Sequence, residues 1–413
     1  MFIRIKRVLI HLWFNDIWRI QPLAVIHWRY LLLKPPAPIR LHRKLWWRTR
    51  YKLPRMFWLP MEILRWPLWY FWLGPRQLRK AMQHYGGMVE QQFGVSVAEQ
   101  GERMGALALH YGICPFEAYA WQLFRPQRMA LDYIFAGETQ ALHVLMNGNS
   151  NAMHSQQKLL GDKIALAELL SPIGIPMVET AMVSWGDWRD LLSALQRYPE
   201  LFCKLRSGNQ GESAFAVWHE DNGLAGLAHD GKKLQHEHDV HQAWQTLASK
   251  GELLIQPKLQ NHPSLALASP SGAAITVRLI TRVVDGRFEL LCSYLEVSAE
   301  PEKPNDTRSY WAYPINTDSG FIEPMPGEQF FNPKCSAGYR QAIATIDSDN
   351  SLPFWPEIIS HSSQAHALAT PDCWAIAWDW VISADGPILL EGNSGWGLEI
   401  PQMQMGGFAN IAK

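Results

Sequence analysis

Asp379, Glu391 and Asn393 are the residues of this chain whose types and spacing most directly spell out chemistry. Residues 374–383 and 387–391 form two apolar runs on either side of Ala384-Asp385-Gly386, which has the turn chemistry of a β-hairpin. Such a hairpin folds Asp379 back toward Glu391 and Asn393. The latter two lie two positions apart, so on a strand they project from one face. Two carboxylates and an amide oxygen are hard ligands that suit Mg²⁺, and so small a protein set usually shares its metal with phosphate. Taken singly, either acid is equally well read as a solvated residue on the outer face of an amphipathic hairpin.

A second group lies upstream. Leu201-Phe202-Cys203-Lys204-Leu205 reads as a strand carrying an inward lysine, and it runs into the glycine-flanked polar loop Ser207-Gly208-Asn209-Gln210-Gly211-Glu212-Ser213. A loop of this kind presents backbone N–H groups to phosphate oxygens, and lysine adds a point charge. Most glycine-containing loops after strands are ordinary turns. The pairing with the downstream carboxylate and amide set is what points to a nucleotide bound with its metal.

With these residues in view, the chain resembles the ATP-grasp proteins and is most similar to the sugar-transfer-associated ATP-grasp group among them. The resemblance runs from about Leu160 to the C-terminus. It is carried, in order, by Gly161-Asp162-Lys163 and Gly174-Ile175-Pro176, the Lys204 strand and its loop, Leu253 to Lys258, Ser269 to Arg278, and the hairpin from Asp379 to Asn393. The resemblance implies ATP and Mg²⁺ as cofactors. Lys163 and Lys204 match the lysines that approach the ATP phosphates, with Ser207, Gly208, Gln210 and Gly211 in a lid folding over them. Gln256 matches the position that meets the adenine amino group, with the backbone at 257–258 at the ring edge and Lys258 beside it. Arg278 matches an arginine that reaches the transferred phosphoryl group or the carbonyl under attack, where a fixed guanidinium favours developing charge. Asp379, Glu391 and Asn393 match the metal ligands. Bland readings stand beside these: Lys163 as a surface lysine at a helix start, Gln256 as a strand end, Arg278 as a cross-strand ion-pair partner. The chain also departs from many ligases of this kind, which carry an arginine two residues before the hairpin aspartate. Here that position is Ala377, so Arg278 is left to carry the transition-state charge. Trp396, in Ser394-Gly395-Trp396-Gly397, is open to two readings, a stacking platform for a sugar or a core residue.

The elements that must position these groups follow from the patterning. Strands are expected near 201–206, 215–219, 252–259, 274–284, 287–296, 374–383 and 387–391, with helices at 187–197, 239–250 and 335–347 and a short strand at Met177–Val183. Antiparallel strands with covering helices define an α+β class, consistent with the two-lobed ATP-grasp core that the resemblance implies over 160–413. Residues 81–159 read as a helical N-terminal domain, with a break at Gly112-Ile113-Cys114-Pro115. The segment Ala299–Pro324 reads as a loop whose Asn305, Asp306 and Arg308 either line a substrate cleft or are merely solvated.

At 413 residues, 47% hydrophobic and 18% charged, the chain is long enough for two or three globular units. Cys114, Cys203, Cys292, Cys335 and Cys373 are scattered without a C-x-x-C pair, which argues for reduced thiols in a cytoplasmic setting and against zinc or a disulfide scaffold. A formal net charge of zero hides an asymmetry: residues 1–80 hold 17 Lys and Arg against only Asp16 and Glu62, together with nine of the twenty tryptophans. Basic residues interleaved with Trp, Tyr and Leu make up segments that lie in a membrane interface. The longest uncharged run there, Trp66–Pro75, is too short to span a bilayer. Arg4, Lys6 and Arg7 precede an apolar run that Asn15-Asp16 interrupts, with no small-residue cleavage site after it. Residues 1–80 are therefore expected to dock on an anionic membrane surface, with a partner protein as the next reading and nucleic acid disfavoured.

The resemblance implies an ATP-dependent carboxylate–amine or carboxylate–thiol ligase. It would act through an acylphosphate on small, possibly sugar-linked substrates in cell-surface saccharide or peptide-like conjugate assembly, at the cytoplasmic face of the membrane. Phosphoryl transfer to another acceptor, or a non-catalytic ATP-binding scaffold, are the alternatives.

Overall fold

Among the described residues of 149–396 the strands form two antiparallel sheets with helices between them, and the fold is α+β. The computed structural model describes residues 37–49, 67–148, 151–207, 214–221, 223–269, 272–298, 310–323 and 351–410. They divide into two units, Met1–Gly148 with Gly397–Lys413, and Asn149–Trp396.

The first unit is helical among its described residues. It contains α1 (Ala37–Thr49), a π-helical turn (Trp69–Leu73) leading into α2 (Gly74–Phe93), α3 (Val97–Tyr111), α4 (Pro115–Ala120) and α5 (Ala136–Asn147). Ser96 and Glu99 form a reciprocal capping box at the start of α3, which satisfies two backbone N–H groups that a helix start leaves bare. The expected break at Gly112 is present, with Gly112 in the left-handed region ending α3. In α1, His42 is buried and contacts both oxygens of buried Glu138 through Nδ1 at 3.0 Å, while its Nε2 lies 3.0 Å from the Leu131 carbonyl.

The second unit runs α6 (Asn151–Gly161), α7 (Lys163–Leu170), β1 (Met182–Ser184), α8 (Trp188–Leu195), β2 (Glu200–Leu205), β3 (Phe215–Glu220), β4 (Gly223–Ala228), β5 (Lys233–Leu234), α9 (Glu237–Ala248), β6 (Leu253–Pro257), α10 (Pro263–Ala266), β7 (Thr276–Val284), β8 (Arg287–Ser298), β9 (Tyr310–Pro314), α11 (Trp355–Ala369), β10 (Ala375–Ser383) and β11 (Gly386–Asn393). One sheet has the order β1-β6-β2-β3-β4-β5, the other β11-β10-β7-β8-β9. Leu201, Cys203, Leu253 and Ile255 turn one face of the first sheet toward a core shared with Leu191, Val240 and Trp244 of α8 and α9. Val277, Leu279, Leu295, Trp378, Trp380 and Leu389 turn one face of the second toward Trp355, Ile358 and Ala365 of α11.

Several expectations are corrected. Within Met177–Val183 the extended strand is confined to Met182–Ser184, and Met177 instead bridges Leu389 in isolation. The presumed loop 299–324 contains a strand, because Tyr310-Trp311-Ala312-Tyr313-Pro314 pairs with β8; its aromatic β-formers outweigh the polar residues around them. Strands β4 and β5 and helix α11 were not anticipated. The helix expected at 335–347, Asn305, Asp306 and Arg308, Gly208, Gln210 and Gly211 of the lid, and most of residues 1–66 lie outside the described residues. Trp396 is a core residue: it is buried, its Nε1 donates to the Ala375 carbonyl at 3.4 Å, and its ring packs on Trp374.

Candidate functional site

The hairpin that carries the acids is held from behind. On β10, Trp378 and Trp380 point to the α11 side, where Trp380 Nε1 donates to Ser362 Oγ at 2.9 Å. Trp378 Nε1 donates to Thr281 Oγ1 at 2.8 Å, Thr281 Oγ1 lies 2.7 Å from His366 Nδ1, and His366 Nε2 lies 3.0 Å from the Cys373 carbonyl. A neutral His366 closes this chain of donors without a leftover group, with Thr281 donating to Nδ1 and Nε2–H donating to the carbonyl. Burial pulls the His366 pKa down to about 4, which keeps the ring neutral. Strand alternation then aims Asp379 at the opposite face.

On that face four strands line up a row: Tyr294 of β8 opposite Arg278 of β7, Arg278 opposite Asp379 of β10, and Asp379 opposite Glu391 of β11. A bulge in the hairpin, where the register shifts between Asp379 and Trp380, sets Glu391 against Asp379. Bulges commonly re-aim side chains next to functional sites. Asn393 Nδ2 lies 3.2 Å from Asp379 Oδ2 and 3.3 Å from Glu391 Oε1, so the three expected metal ligands converge.

The two expected phosphate lysines arrive from different elements. Lys163, first residue of α7, places Nζ 3.3 Å from Glu391 Oε2. Lys204 comes from β2 of the other sheet, and it feels the charges of both Lys163 and Glu391. Its register partner is Leu254, so Lys204 shares a sheet face with Gln256 of β6, the face away from the α8 and α9 core. Desolvation, together with the neighbouring Lys163 charge, brings Lys204 down to about 8 despite the opposing effect of Glu391. Burial pushes the Glu391 carboxyl up, and the two lysines more than reverse this, leaving it below the usual carboxylate range.

Gln256 is buried and its Nε2 donates to Thr180 Oγ1 at 3.3 Å. Lys258 Nζ pairs with Glu200 at 2.6 Å and sits over the Trp218 ring, while its backbone N–H donates to the Glu200 carbonyl. That N–H is therefore committed to the sheet. Ser207 follows β2 and is exposed.

Arg278 behaves differently from the expectation of a cation held ready for a phosphoryl group. Its Nε and Nη2 grip Asp379 Oδ1 and Oδ2 at 2.6 and 2.8 Å, and Nη1 lies 3.2 Å from Glu296 Oε1. The cross-strand ion pair is thus what the structure contains. Burial would lower the guanidinium pKa, and the two carboxylates hold it well above its ordinary value. Burial drives Asp379 upward against the pull of Arg278, and it carries Glu296 to about 7. Ala377 is fully buried opposite Asn393.

Two contributors were not read from the sequence. Arg206, two residues beyond Lys204, hydrogen-bonds Asp162 at 3.0 and 2.8 Å and Glu252 at 2.9 Å. Its signal was present, since residues two apart on a strand share a face. Glu296 joins the row only through the β7 and β8 pairing, whose register shifts between Ile280 and Thr281.

The donor set is compatible with Mg²⁺. Among the described residues no group of three or more His, Cys, Asp or Glu has metal-binding spacing, so an ion here would rest on Asp379, Glu391 and the Asn393 amide. It would take its remaining ligands from water and phosphate. Arg278 competes with it for Asp379.

No protein-family model matches the chain, and no curated protein matches it. Solved structures do overlap with it. The ATP-grasp ligase PsnB complexed with minimal precursor is 13% identical with a TM-score of 0.36, covering 67% of this chain and 69% of that one. D-alanyl-alanine synthetase A from Vibrio cholerae O1 biovar eltor is 10% identical with a TM-score of 0.35, covering 62% and 64%. D-alanine–D-alanine ligase from Bacillus anthracis complexed with ATP is 13% identical with a TM-score of 0.33, covering 59% of each. The overlap spans less than two thirds of the latter two chains. At these scores the functional reading has to come from the side chains themselves.

Proposed function

We propose that this chain is an ATP-dependent ligase that activates a small carboxylate as an acylphosphate and passes the acyl group to an amine or thiol. The observation that carries the reading is the convergence of Lys163 and Lys204, from two separate elements, on Glu391 beside Asp379 and Asn393. Two cations and three oxygen ligands at one place match the charge pattern of a nucleotide triphosphate with its divalent ion.

In this reading Lys163 and Lys204 bind the phosphate oxygens, and a phosphate beside Lys204 restores the proton that desolvation loosens. Gln256, whose Nε2 is engaged by Thr180, offers Oε1 to the adenine amino group. Mg²⁺ held by Asp379, Glu391 and Asn393 would neutralise phosphate charge and orient the γ-phosphoryl group. The substrate carboxylate oxygen bonds to the γ-phosphorus as the bond to the bridging oxygen breaks, releasing ADP. The amine nitrogen or thiol sulfur then attacks the acyl carbon, and phosphate leaves as the nucleophile's proton passes to solvent. Positioning and charge do this work without a protein nucleophile. Sugar-linked substrates are favoured by the sequence resemblance, and a site at the anionic cytoplasmic membrane surface by the basic, Trp-rich residues 1–80.

The test is calorimetric titration of the full chain with Mg·ATP, compared with Glu391→Gln, followed by ADP and phosphate assays against amino acids, uronic acids and amino sugars. Metal-dependent ATP binding that the variant loses, with phosphate release stimulated by a carboxylate and an amine together, supports the ligase. ADP release without free phosphate points to phosphoryl transfer instead, and folded wild type that binds no Mg·ATP rules out both.

A further inference from the structure

We propose that Tyr70, Phe71 and Trp72 form a preorganised ridge that enters the interface of an anionic lipid bilayer, with Arg76, Arg79 and Lys80 as its headgroup-binding rim. This deepens the membrane-surface reading and rests on it, while standing apart from the nucleotide chemistry. Soluble proteins seldom leave large aromatics together in water, yet Tyr70, Phe71 and Trp72 are 42%, 79% and 54% exposed.

The ridge is built rather than loose. Residues Trp69–Leu73 form a π-helical turn, closed where the Gly74 N–H donates to the Trp69 carbonyl. Such turns are uncommon and concentrate at functional sites. Trp69 is its anchor: the ring is buried and Nε1 donates to the Ala108 carbonyl at 2.8 Å. Gly74 is required there, because a Cβ at that position would stand 2.9 Å from the Trp69 carbonyl oxygen and 3.1 Å from its ring. With Trp69 pinned inward, the next three side chains are turned out, and Tyr70 and Phe71 stiffen each other edge to face at 5.1 Å.

The charges choose the partner. Arg76, Arg79 and Lys80 are exposed, and their spacing from Trp72 puts them on its stripe of the continuing helix. No acidic residue occurs between Glu62 and Glu90. Indoles and phenols seat at headgroup depth and cations meet lipid phosphate, which fits a bilayer surface in both respects. No helix among the described residues is long and apolar enough to cross a membrane.

The experiment is co-sedimentation of the full chain with vesicles of phosphatidylglycerol and phosphatidylcholine, or of phosphatidylcholine alone, with amide hydrogen exchange read over residues 67–80. Wild type is expected to bind the anionic vesicles and to gain protection at 67–80. The double substitution Phe71→Ser with Trp72→Ser is expected to lower the partition coefficient at least tenfold. Neutralising Arg76, Arg79 and Lys80 to Gln is expected to lower it by about a hundredfold. The altered side chains are exposed, and circular dichroism checks that the fold is kept; the exchange measurement on wild type decides the matter even if a variant does not fold. Wild type that ignores anionic vesicles overturns the membrane reading as a whole. Binding that persists in both variants, without protection at 67–80, overturns the ridge alone. Loss of self-association in the aromatic variant, or preferential binding to single-stranded oligonucleotides, would assign the surface to a second copy or to nucleic acid and overturn the proposal.

Discussion

Arg206, the residue that follows β2, holds Asp162 with two hydrogen bonds, Nε to Oδ1 at 3.0 Å and Nη2 to Oδ2 at 2.8 Å. Asp162 caps α7 through the N–H groups of Ile164 and Ala165, and Lys163 is the first residue of that helix. Arg206 also stands two residues from Lys204. One clasp therefore ties together the two elements that carry the lysines. Arg206→Met is expected to lower nucleotide turnover by about 10²-fold, although in this structure its guanidinium is spent on Asp162 and Glu252 rather than held for a ligand. Steady-state kinetics beside a melting curve checks this, since a positioning role predicts lost turnover in protein that melts near the wild-type temperature.

Lys204 sets a pH dependence with a definite sign. Its pKa in the fold is about 8, below its ordinary value near 10.5. A bound phosphate favours the protonated amine, so binding takes up a proton near and above pH 8, and affinity falls as pH rises through that value. The same shift means the folded chain holds fewer protons than the unfolded one between about 8 and 10.5, so stability rises with pH across that window. Calorimetric affinity for Mg·ATP from pH 6.5 to 9.5 should decline on the alkaline side in wild type. Lys204→Met should bind weakly with a flat profile, and a flat profile in wild type would remove Lys204 from the phosphates.

Arg278 forms ion pairs with two acids at once, Asp379 and Glu296, within a largely desolvated row. Glu296 Oε1 is buried and, though 3.2 Å from Nη1, lacks the geometry of a hydrogen bond. Removing the cation leaves two carboxylates facing each other without it. Arg278→Met is accordingly expected to lower stability by about 3–5 kcal/mol, read from urea unfolding. The double variant Arg278→Met with Asp379→Leu should recover part of that loss, because the Asp379 charge then leaves with its partner and only Glu296 remains, whose carboxyl burial already carries to about 7. A single-variant loss within about 0.5 kcal/mol, the range of an ordinary surface substitution, would mean the row is far wetter than its burial implies.

The hairpin was legible because two local signals agreed: apolar runs of strand length and a turn at Ala384-Asp385-Gly386. Lys163 and Lys204 were legible as types, but their meeting at Glu391 is a product of tertiary packing. Arg278 shows where reading from types stopped. Whether an arginine on β7 serves a phosphate or a carboxylate depends on what stands opposite it, and bulges at Asp379/Trp380 and Ile280/Thr281 shift the pairings that decide this. Strand β9 was hidden by its polar flanks, and β4 by a Gly, Ala and Leu composition with little intrinsic β preference.

Gly392 joins the core of the second sheet to the site in a single residue. It lies between Glu391 and Asn393, and strand alternation turns its absent side chain toward the core. A Cβ there would come within 2.6 Å of Trp378 Cζ3 and 2.8 Å of Leu160 Cδ2. The indole cannot yield easily, since it is fully buried and its Nε1 is held by Thr281. The strand must move instead, taking Glu391 and Asn393 with it. Gly392→Ala is expected to lower stability by about 1–3 kcal/mol and to weaken Mn²⁺ binding, followed by electron paramagnetic resonance. Gly395→Ala is the control, because a Cβ there meets nothing within 4 Å. If Gly392→Ala loses stability while Mn²⁺ affinity stays at the wild-type value, the metal does not rest on Glu391 and Asn393.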